Sequence, residues 1–472
     1  MSGLSILSKE RIVAPPGYSR WLIPPAALCV HLCIGQAYAF SVFNIPMTKL
    51  IGITQNAPAG GWDLSNLRAI PSAPGDWAFT DLGWIFSLGI FFLGVSAALL
   101  GRWVEEGGPR KAMFTAALCW AGGFALSAIG VYLHTIWLIY IGYGVIGGFG
   151  LGIGYISPVS TLIKWFPDRP GMATGMAIMG FGGGAFIASP LSVWLMRQFT
   201  TQTHVGVAET FLVMGAIYFC FMMVGAAIVR VPAPAWKPAG YVAPAQPKKL
   251  ITNENVHVYQ ALKTPQFWLI WWVLCLNVTA GIGVLGQASA MSQEMFPGRV
   301  TPVAAAGFVG LMSLFNMGGR FFWASMSDYL GRKNTYFVFF ALGTTLYAAV
   351  PYTGSVGSVP LFVLAYAIIF SMYGGGFSTV PAYLKDMFGT RYVGAIHGML
   401  LTAWSMAGIF GPVLVNYIRA YNIAHGVAKA EAYNVTMYVM AVLLVIGFVC
   451  NYFVTAVNEK HHMKLSGATA KA

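Results

Sequence analysis

The sequence predicts an all-α membrane protein with twelve transmembrane helices in two pseudo-symmetric bundles of six, and three observations carry that prediction. Of the 472 residues, 57% are hydrophobic and only 9% are charged, where a soluble domain carries roughly 25% charged residues. Apolar runs long enough to cross a hydrocarbon core about 30 Å thick recur at about 21–46, 79–101, 112–132, 136–164, 172–197 and 209–230, and again at about 266–290, 302–325, 334–353, 359–384, 394–418 and 432–457. Finally, the later six runs repeat features of the earlier six at a nearly constant spacing.

In chain order, the tail 1–20 contains Lys9, Arg11 and Arg20 but no apolar core ahead of a small-residue cleavage site. The first run therefore reads as a retained helix. The first bundle covers 21–230. Its 47–78 segment, rich in Gly, Pro and Asn and holding Trp62 and Trp77, is the longest loop on its face, and an ordered cap over the mouth is one role open to it. Residues 231–264 carry Pro232, Pro234, Pro238, Pro244 and Pro247 ahead of Lys248 and Lys249; they cannot span a membrane and read as a cytoplasmic linker. The second bundle covers 265–457, and a polar tail, 458–472, ends the chain.

Placing the N-terminus in the cytoplasm puts 20 of the 27 Lys and Arg residues on the cytoplasmic side and 6 on the far side, with Arg320 left inside the membrane. That bias orients both termini inward. It also explains the net charge of +13 by topology, so the lipid bilayer is the expected partner and nucleic acid is not. The six cysteines, Cys29, Cys33, Cys119, Cys220, Cys275 and Cys450, all fall in apolar runs, and His461-His462 lies in the tail. No disulfide framework, metal site or cofactor is expected. The glycines at 144–154 and 180–184 lack the strand–turn–helix setting of a phosphate loop and suit close helix packing.

The repeat pairs Glu105, Gly108 and Arg110 with Asp328, Gly331 and Lys333, Tyr143 and Pro158 with Tyr366 and Pro381, and Gly175-Met176 with Gly398-Met399, all 223 residues apart. Phe166 and Arg169 match Phe388 and Arg391 at 222. Two homologous six-helix halves joined by a linker are the architecture of a rocking transporter with its substrate near mid-membrane.

Two loop motifs stand out. Gly101-x-x-x-Glu105-x-x-Gly108-Pro109-Arg110-Lys111 lies between the second and third runs, and its partial copy, Asp328, Gly331, Arg332 and Lys333, lies between the eighth and ninth. With an acid ending one helix and cations starting the next, ion pairing is expected to fasten neighbouring helices in one conformation, a gating and structural role. The pattern resembles the signature of the major facilitator superfamily. Gly35-Gln-Ala-Tyr38-Ala-Phe-Ser41-Val42-Phe43, the Gly-rich fourth run leading into Lys164-Trp165-Phe166-Pro167-Asp168-Arg169, and Leu401-Thr402-Ala403-Trp404 resemble the oxalate/formate antiporter family. Asn316-x-x-x-Arg320 is similar to the eighth helix of the related monocarboxylate transporters. The resemblance implies transport of small carboxylates with Arg320 as the anion-binding cation.

The residues point the same way. Arg320 stands eight positions before Asp328, roughly 12 Å deeper in the membrane at the rise of an α-helix. A cation there costs roughly 2.5–3.5 kcal/mol on insertion scales. Arginine cannot lose its proton, and its fork of donors matches a carboxylate. The alternatives are that Arg320 snorkels to the surface or joins the Asp328 network. Asn316, one turn away on the same face, is a second candidate contact or an interhelical hydrogen bond. Tyr38, Tyr155, Tyr373 and Trp404 are candidate cavity aromatics, each alternatively explained by packing. His31, in the first run, is a coupling candidate because imidazole titrates near neutrality, or else a hydrogen-bonding partner of a neighbouring helix.

Oxalate-selective members that this chain resembles carry a second cation where Trp404 stands. One membrane cation suits one negative charge, so the expected substrate is a monocarboxylate such as formate or lactate, with oxalate/formate exchange proper as the alternative. No acid sits mid-helix, since Asp81, Glu209 and Glu294 lie near helix ends. This speaks against cation and multidrug export. The resulting expectation is a secondary active carrier, by antiport or proton-linked transport, functional as a monomer in a bacterial cytoplasmic (inner) membrane, and not an enzyme. A carboxylate-binding sensor of the same architecture is the rival from another class.

Overall fold

The computed structural model describes residues 6–58, 61–64, 66–234, 236–241, 250–252, 254–285 and 287–463. Pro244, Pro247, Lys248 and Lys249 of the expected linker, and Lys464 and Lys471 of the tail, lie outside these residues.

The described residues are helical where the apolar runs predicted helices. Eleven stretches are long and apolar enough to cross a membrane: α1 (Arg20–Gln55), α2 (Phe79–Gly107), α3 (Pro109–Tyr132), α4 (Ile136–Trp165), α5 (Pro170–Phe199), α6 (Val207–Ile228), α7 (Pro265–Leu285), α9 (Arg332–Ser355), α10 (Val359–Phe388), α11 (Val393–Ala424) and α12 (Asn434–Tyr452). The helix α8 (Pro302–Leu330), 29 residues long, takes the eighth place in order.

Two spans depart from the expected regular helix. In α1, the α-helix Ile23–Ile34 tightens into a 3-10 stretch over Gly35–Phe43. In α4, Tyr140–Gly147 widens into a π-helix. Both lie next to glycine-lined contacts: a side chain at Gly35 would meet the Phe181 carbonyl of α5, and one at Gly142 the Gly123 carbonyl of α3. Close backbone approach there leaves less room for regular α-geometry, and such irregular turns are common at functional positions.

The sharp reversals between α2 and α3 and between α8 and α9 rest on the same residue. Gly108 and Gly331 adopt φ of 86° and 82°, a region that L side chains rarely adopt, so glycine is required at each. Pro109 then starts α3, where its missing N–H is harmless.

The first and last described segments of the chain lie at one end of the bundle. Val13 pairs with Val231 and Val256 with His462, which ties each terminal segment to the connector between α6 and α7. At the opposite end the 47–78 segment is ordered, among its described residues, by Asp76, whose carboxylate accepts from the backbone of Ile51, Gly52 and Ala73 at 2.7–2.9 Å. Trp62 donates to the Gln202 carbonyl and Trp77 stacks on His134. These anchors lie on the α3–α4 and α5–α6 connections, so the segment rests on the first six helices. Glu294, just past α7, pairs with Arg419 of α11 through two bonds of 2.5 and 2.9 Å.

The two sets of six helices meet along two seams, α5 against α8 and α11 against α2. Small residues line both. A Cβ on Gly175 would sit 2.9 Å from the Arg320 carbonyl, and one on Gly398 would overlap the Ala97 carbonyl. With little apolar driving force between helices in lipid, such backbone contact and interhelical hydrogen bonds hold the seams. Ser405 of α11 donates to the Ile90 and Phe91 carbonyls of α2 at 3.2 and 3.1 Å, and Thr174 of α5 to the Ser378 carbonyl of α10 at 2.6 Å.

Candidate anion site and seam closure

Arg320 is completely buried at the α5–α8 seam. Glycines make its place: Gly319 lets α8 press against the Ser371 backbone of α10, and Gly182 leaves room for the guanidinium on α5, where a Cβ would lie 3.0 Å from Nε. Arg320 Nε donates to Asn316 Oδ1 at 3.0 Å and Nη1 to the Ile178 carbonyl at 3.4 Å. Nη2 has no hydrogen-bond partner. The rings of Phe181 and Phe377 lie 5.6 and 5.1 Å from the guanidinium carbon, so cation–π attraction offsets part of the burial. No carboxylate pairs with Arg320 among the described residues, so it neither reaches the surface nor enters the Asp328 network.

Around this cation the structure gathers all the sequence-predicted aromatics. Tyr38 and Tyr155 pack edge-on against Phe181 at 5.0 and 5.5 Å, and Tyr373 against Phe377 at 5.2 Å, the two rings that flank Arg320. Tyr38 and Tyr373 meet across the two halves, hydroxyl to hydroxyl, at 3.5 Å. Trp404 is packed between Phe377 and Tyr155, with ring centroids 4.5 and 5.4 Å away, and is fully buried. The Tyr155 hydroxyl and the Trp404 indole N–H are, like Arg320 Nη2, buried without a partner. A buried donor left unpaired costs about 1–3 kcal/mol. All three residues border the Phe181 ring, and one of them is cationic.

His31 accounts for one nitrogen structurally: Nε2 lies 3.2 Å from the Tyr155 carbonyl, and its ring stacks on that tyrosine. Its Nδ1 is unpartnered.

Sequence reasoning missed Phe181, Phe377 and His397. The two phenylalanines carry no signal among 32 in the chain. His397 did carry one, as an ionisable residue inside an apolar run.

The motif residues close the seams at the termini-bearing end. Asp328 accepts from the Gly171 and Met172 N–H groups at the start of α5, at 2.8 and 2.9 Å, and from Arg332 at 2.6 Å. Arg332 also reaches Asp386 at 3.1 Å. Glu105 accepts from the Gly394 N–H at the start of α11 at 2.9 Å, from Ser160 at 2.5 Å and from Lys164. Each acid thus sits on a helix N-terminus of the other half, where the dipole favours a negative charge.

The expected pairing of acid with the cations of the next helix holds for Asp328 and Arg332 and fails in the first copy. There Arg110 donates to the Ala226 and Ala227 carbonyls ending α6, Lys111 lies over Trp103, and Lys164 of α4 takes Glu105 instead. Lys333, the repeat partner of Arg110, likewise holds the carbonyls of Tyr452 and Val454 at the end of α12. Gly101 packs on Ala395 of α11. Beside Glu105 lies a cavity of about 1040 Å³ bordered by Lys9, Ser160, Lys164 and Arg391. Lys9 donates to the Glu105 carbonyl at 2.8 Å, and its ammonium is pushed below its ordinary value by burial and then by Lys164.

Comparison with known proteins agrees with this architecture. The chain is 27% identical to the oxalate:formate antiporter of Oxalobacter formigenes over 395 residues, 83% of each chain. It is 25% identical to apicoplast pyruvate carrier 1 of Toxoplasma gondii (79% of this chain, 78% of that one) and 24% identical to human monocarboxylate transporter 11 (81% and 82%). Among solved structures, a proton:xylose symporter superposes with a TM-score of 0.69 at 14% identity over 92% of this chain and 96% of the other. The Escherichia coli fucose:proton symporter does so at 0.63, also at 14%, over 93% and 100%. Residues 26–412 match the family model of the Major Facilitator Superfamily, and the chain belongs to that superfamily.

Proposed function

We propose that this protein is a secondary active transporter of small organic anions, most simply monocarboxylates, that binds the carboxylate at Arg320 and exposes it alternately to the two faces of the membrane. The observation that carries the reading is the unpartnered Nη2 of a fully buried arginine, beside the unpartnered donors of Tyr155 and Trp404. A carboxylate has the lone pairs to take all three, and bidentate pairing in a dry site is the strong form of that bond. The relatives named for oxalate, formate, pyruvate and monocarboxylates support the substrate class. In this reading 21–230 and 265–457 rock as two bodies about the buried site, 231–264 links them, and the excess of Lys and Arg places the termini-bearing end in the cytoplasm. A single cation favours a monoanion; the likeness to the oxalate:formate antiporter makes oxalate/formate exchange the second reading.

Reconstituted protein in proteoliposomes, supplied with labelled formate, lactate, pyruvate or oxalate, tests both. Uptake of a monocarboxylate, accelerated by anion on the opposite side or by an inward proton gradient, is the expected result. Oxalate outcompeting every monoanion would move the assignment to the second reading, and transport of none would end it.

A further inference from the structure

His397 is buried to 1% exposure, and neither of its ring nitrogens has a hydrogen-bond partner. It lies on α11 between the two functional levels of the molecule. Three residues earlier the Gly394 N–H is held by Glu105, the next residue, Gly398, packs on the Ala97 backbone, and seven residues later comes Trp404 of the anion site. His397 therefore stands between the two halves, its ring against Tyr155 of α4 and beside the α2–α11 seam, in the layer that must part if the termini-bearing end opens. The ionisable and charged groups around it are Tyr155 of α4, which it faces at 5.9 Å, and His31 of α1 on the other face of that tyrosine. The Glu105–Lys164 pair lies one turn toward the termini, and Arg320 lies against Phe181, whose ring packs edge-on against Tyr155. Glu105 is already engaged by Gly394, Ser160 and Lys164.

An imidazolium presents two N–H donors, and the closed seam offers neither an acceptor. The same ring is free to bind a proton once the seam separates and water enters. We propose that His397 is a proton-binding site that couples protonation to opening of the termini-bearing end: a proton taken up there holds the α2–α11 seam open, and the seam recloses only after the proton leaves. Acid on that side then accumulates the open conformer and slows its return with or without cargo. This rests on the alternating-access reading above, but its test needs no substrate.

The reporter is Ala395→Cys. Ala395 is 2% exposed and is the residue on which Gly101 packs across the seam. Purified full-length protein carrying that substitution is labelled with a maleimide, the peptide bearing residue 395 is quantified by mass spectrometry apart from the six native cysteines, and each rate is divided by that of the same cysteine in the SDS-unfolded chain at the same pH. Between pH 7.5 and 5.5 the normalised rate is expected to rise by about tenfold, as for an open-state imidazole with its ordinary value near 6.5. It should be flat in the same chain with His397→Gln. A flat profile with His397 present overturns the proposal without any need for the variant to fold. So does an unchanged rise in His397→Gln. Absence of carboxylate transport alongside an intact, His397-dependent rise would remove the anion reading and leave this one standing.

Discussion

The α5–α8 and α11–α2 seams are two copies of one contact, and they differ most at one position. Gly171 meets Asp328 as Gly394 meets Glu105, and Gly175 packs on residue 320 as Gly398 packs on residue 97; within each pair of counterparts the numbers differ by 223. The backbone engagement is conserved between the copies. What stands on it is not: Arg320 in one seam, Ala97 in the other. Under the proposed function, symmetric packing would supply two equivalent sliding surfaces for a rocking motion, whereas one asymmetric charge would supply one anion site. The closing acids differ as well. Asp328 draws on two backbone N–H groups and Arg332, which is 7% exposed, whereas Glu105 draws on one N–H, Ser160 and a Lys164 that is 26% exposed beside the large cavity.

The comparison is most severely broken at Arg320. Replacing it with Ala is expected to weaken carboxylate binding by about 2–5 kcal/mol, the cost of removing one partner of a buried charge pair; Arg320→Lys keeps the charge and loses the fork, and should still lose at least about tenfold. Equilibrium binding or substrate-induced thermal shift of the purified protein reads both. Near-normal affinity in Arg320→Lys would show that the guanidinium is structural.

Next in size is the glycine pair. Gly398→Val drives a side chain into the Ala97 carbonyl and should oppose seam closure by about 1–3 kcal/mol. The corresponding Gly175→Val, where the first contact is 2.9 Å, should have the smaller effect. Labelling of a cysteine at position 395 ranks them, and the reverse order would mean that the two seams are not mechanically equivalent.

The acids are expected to have effects of comparable size. Asp328→Asn is expected to weaken closure by about 1.5–3 kcal/mol, in the range of hydrogen bonds to a charged group, and Glu105→Gln by less because Lys164 is partly hydrated. Thermal unfolding of the two variants side by side checks the order; a larger loss for Glu105→Gln would refute the ranking of the closures.

The smallest change expected is one of preference. Trp404→Lys should raise the ratio of oxalate to formate uptake by several-fold, since a second cation beside Arg320 favours a dianion. An unchanged ratio would show that position 404 does not set the charge of the cargo.

Much of this was legible beforehand because it is written in patterns of composition and spacing. Apolar runs specify spans, since lipid leaves backbone polar groups only the helix in which to pair. A constant offset exposes the repeat, and a lone arginine in an apolar run announces that something must hold it. Less legible were contacts between residues far apart in the chain. Lys164 rather than Arg110 pairs with Glu105, because Arg110 lies over the carbonyl end of α6, a neighbour no spacing rule names. Phe181 and Phe377 became cage walls, and His397 a seam residue, only once α5, α10 and α11 were set side by side.

The sequence by itself determined the number and order of the helices, the repeat spacing of 223 residues, and the placing of one arginine, Arg320, inside an apolar run. The tertiary structure decided which donors around that charge are left without partners, and which helix N-terminus each closing acid holds. The physical reason is one of range: hydropathy, propensity and turn geometry act within a few residues, whereas desolvation and hydrogen-bond satisfaction of a buried group depend on every helix that encloses it.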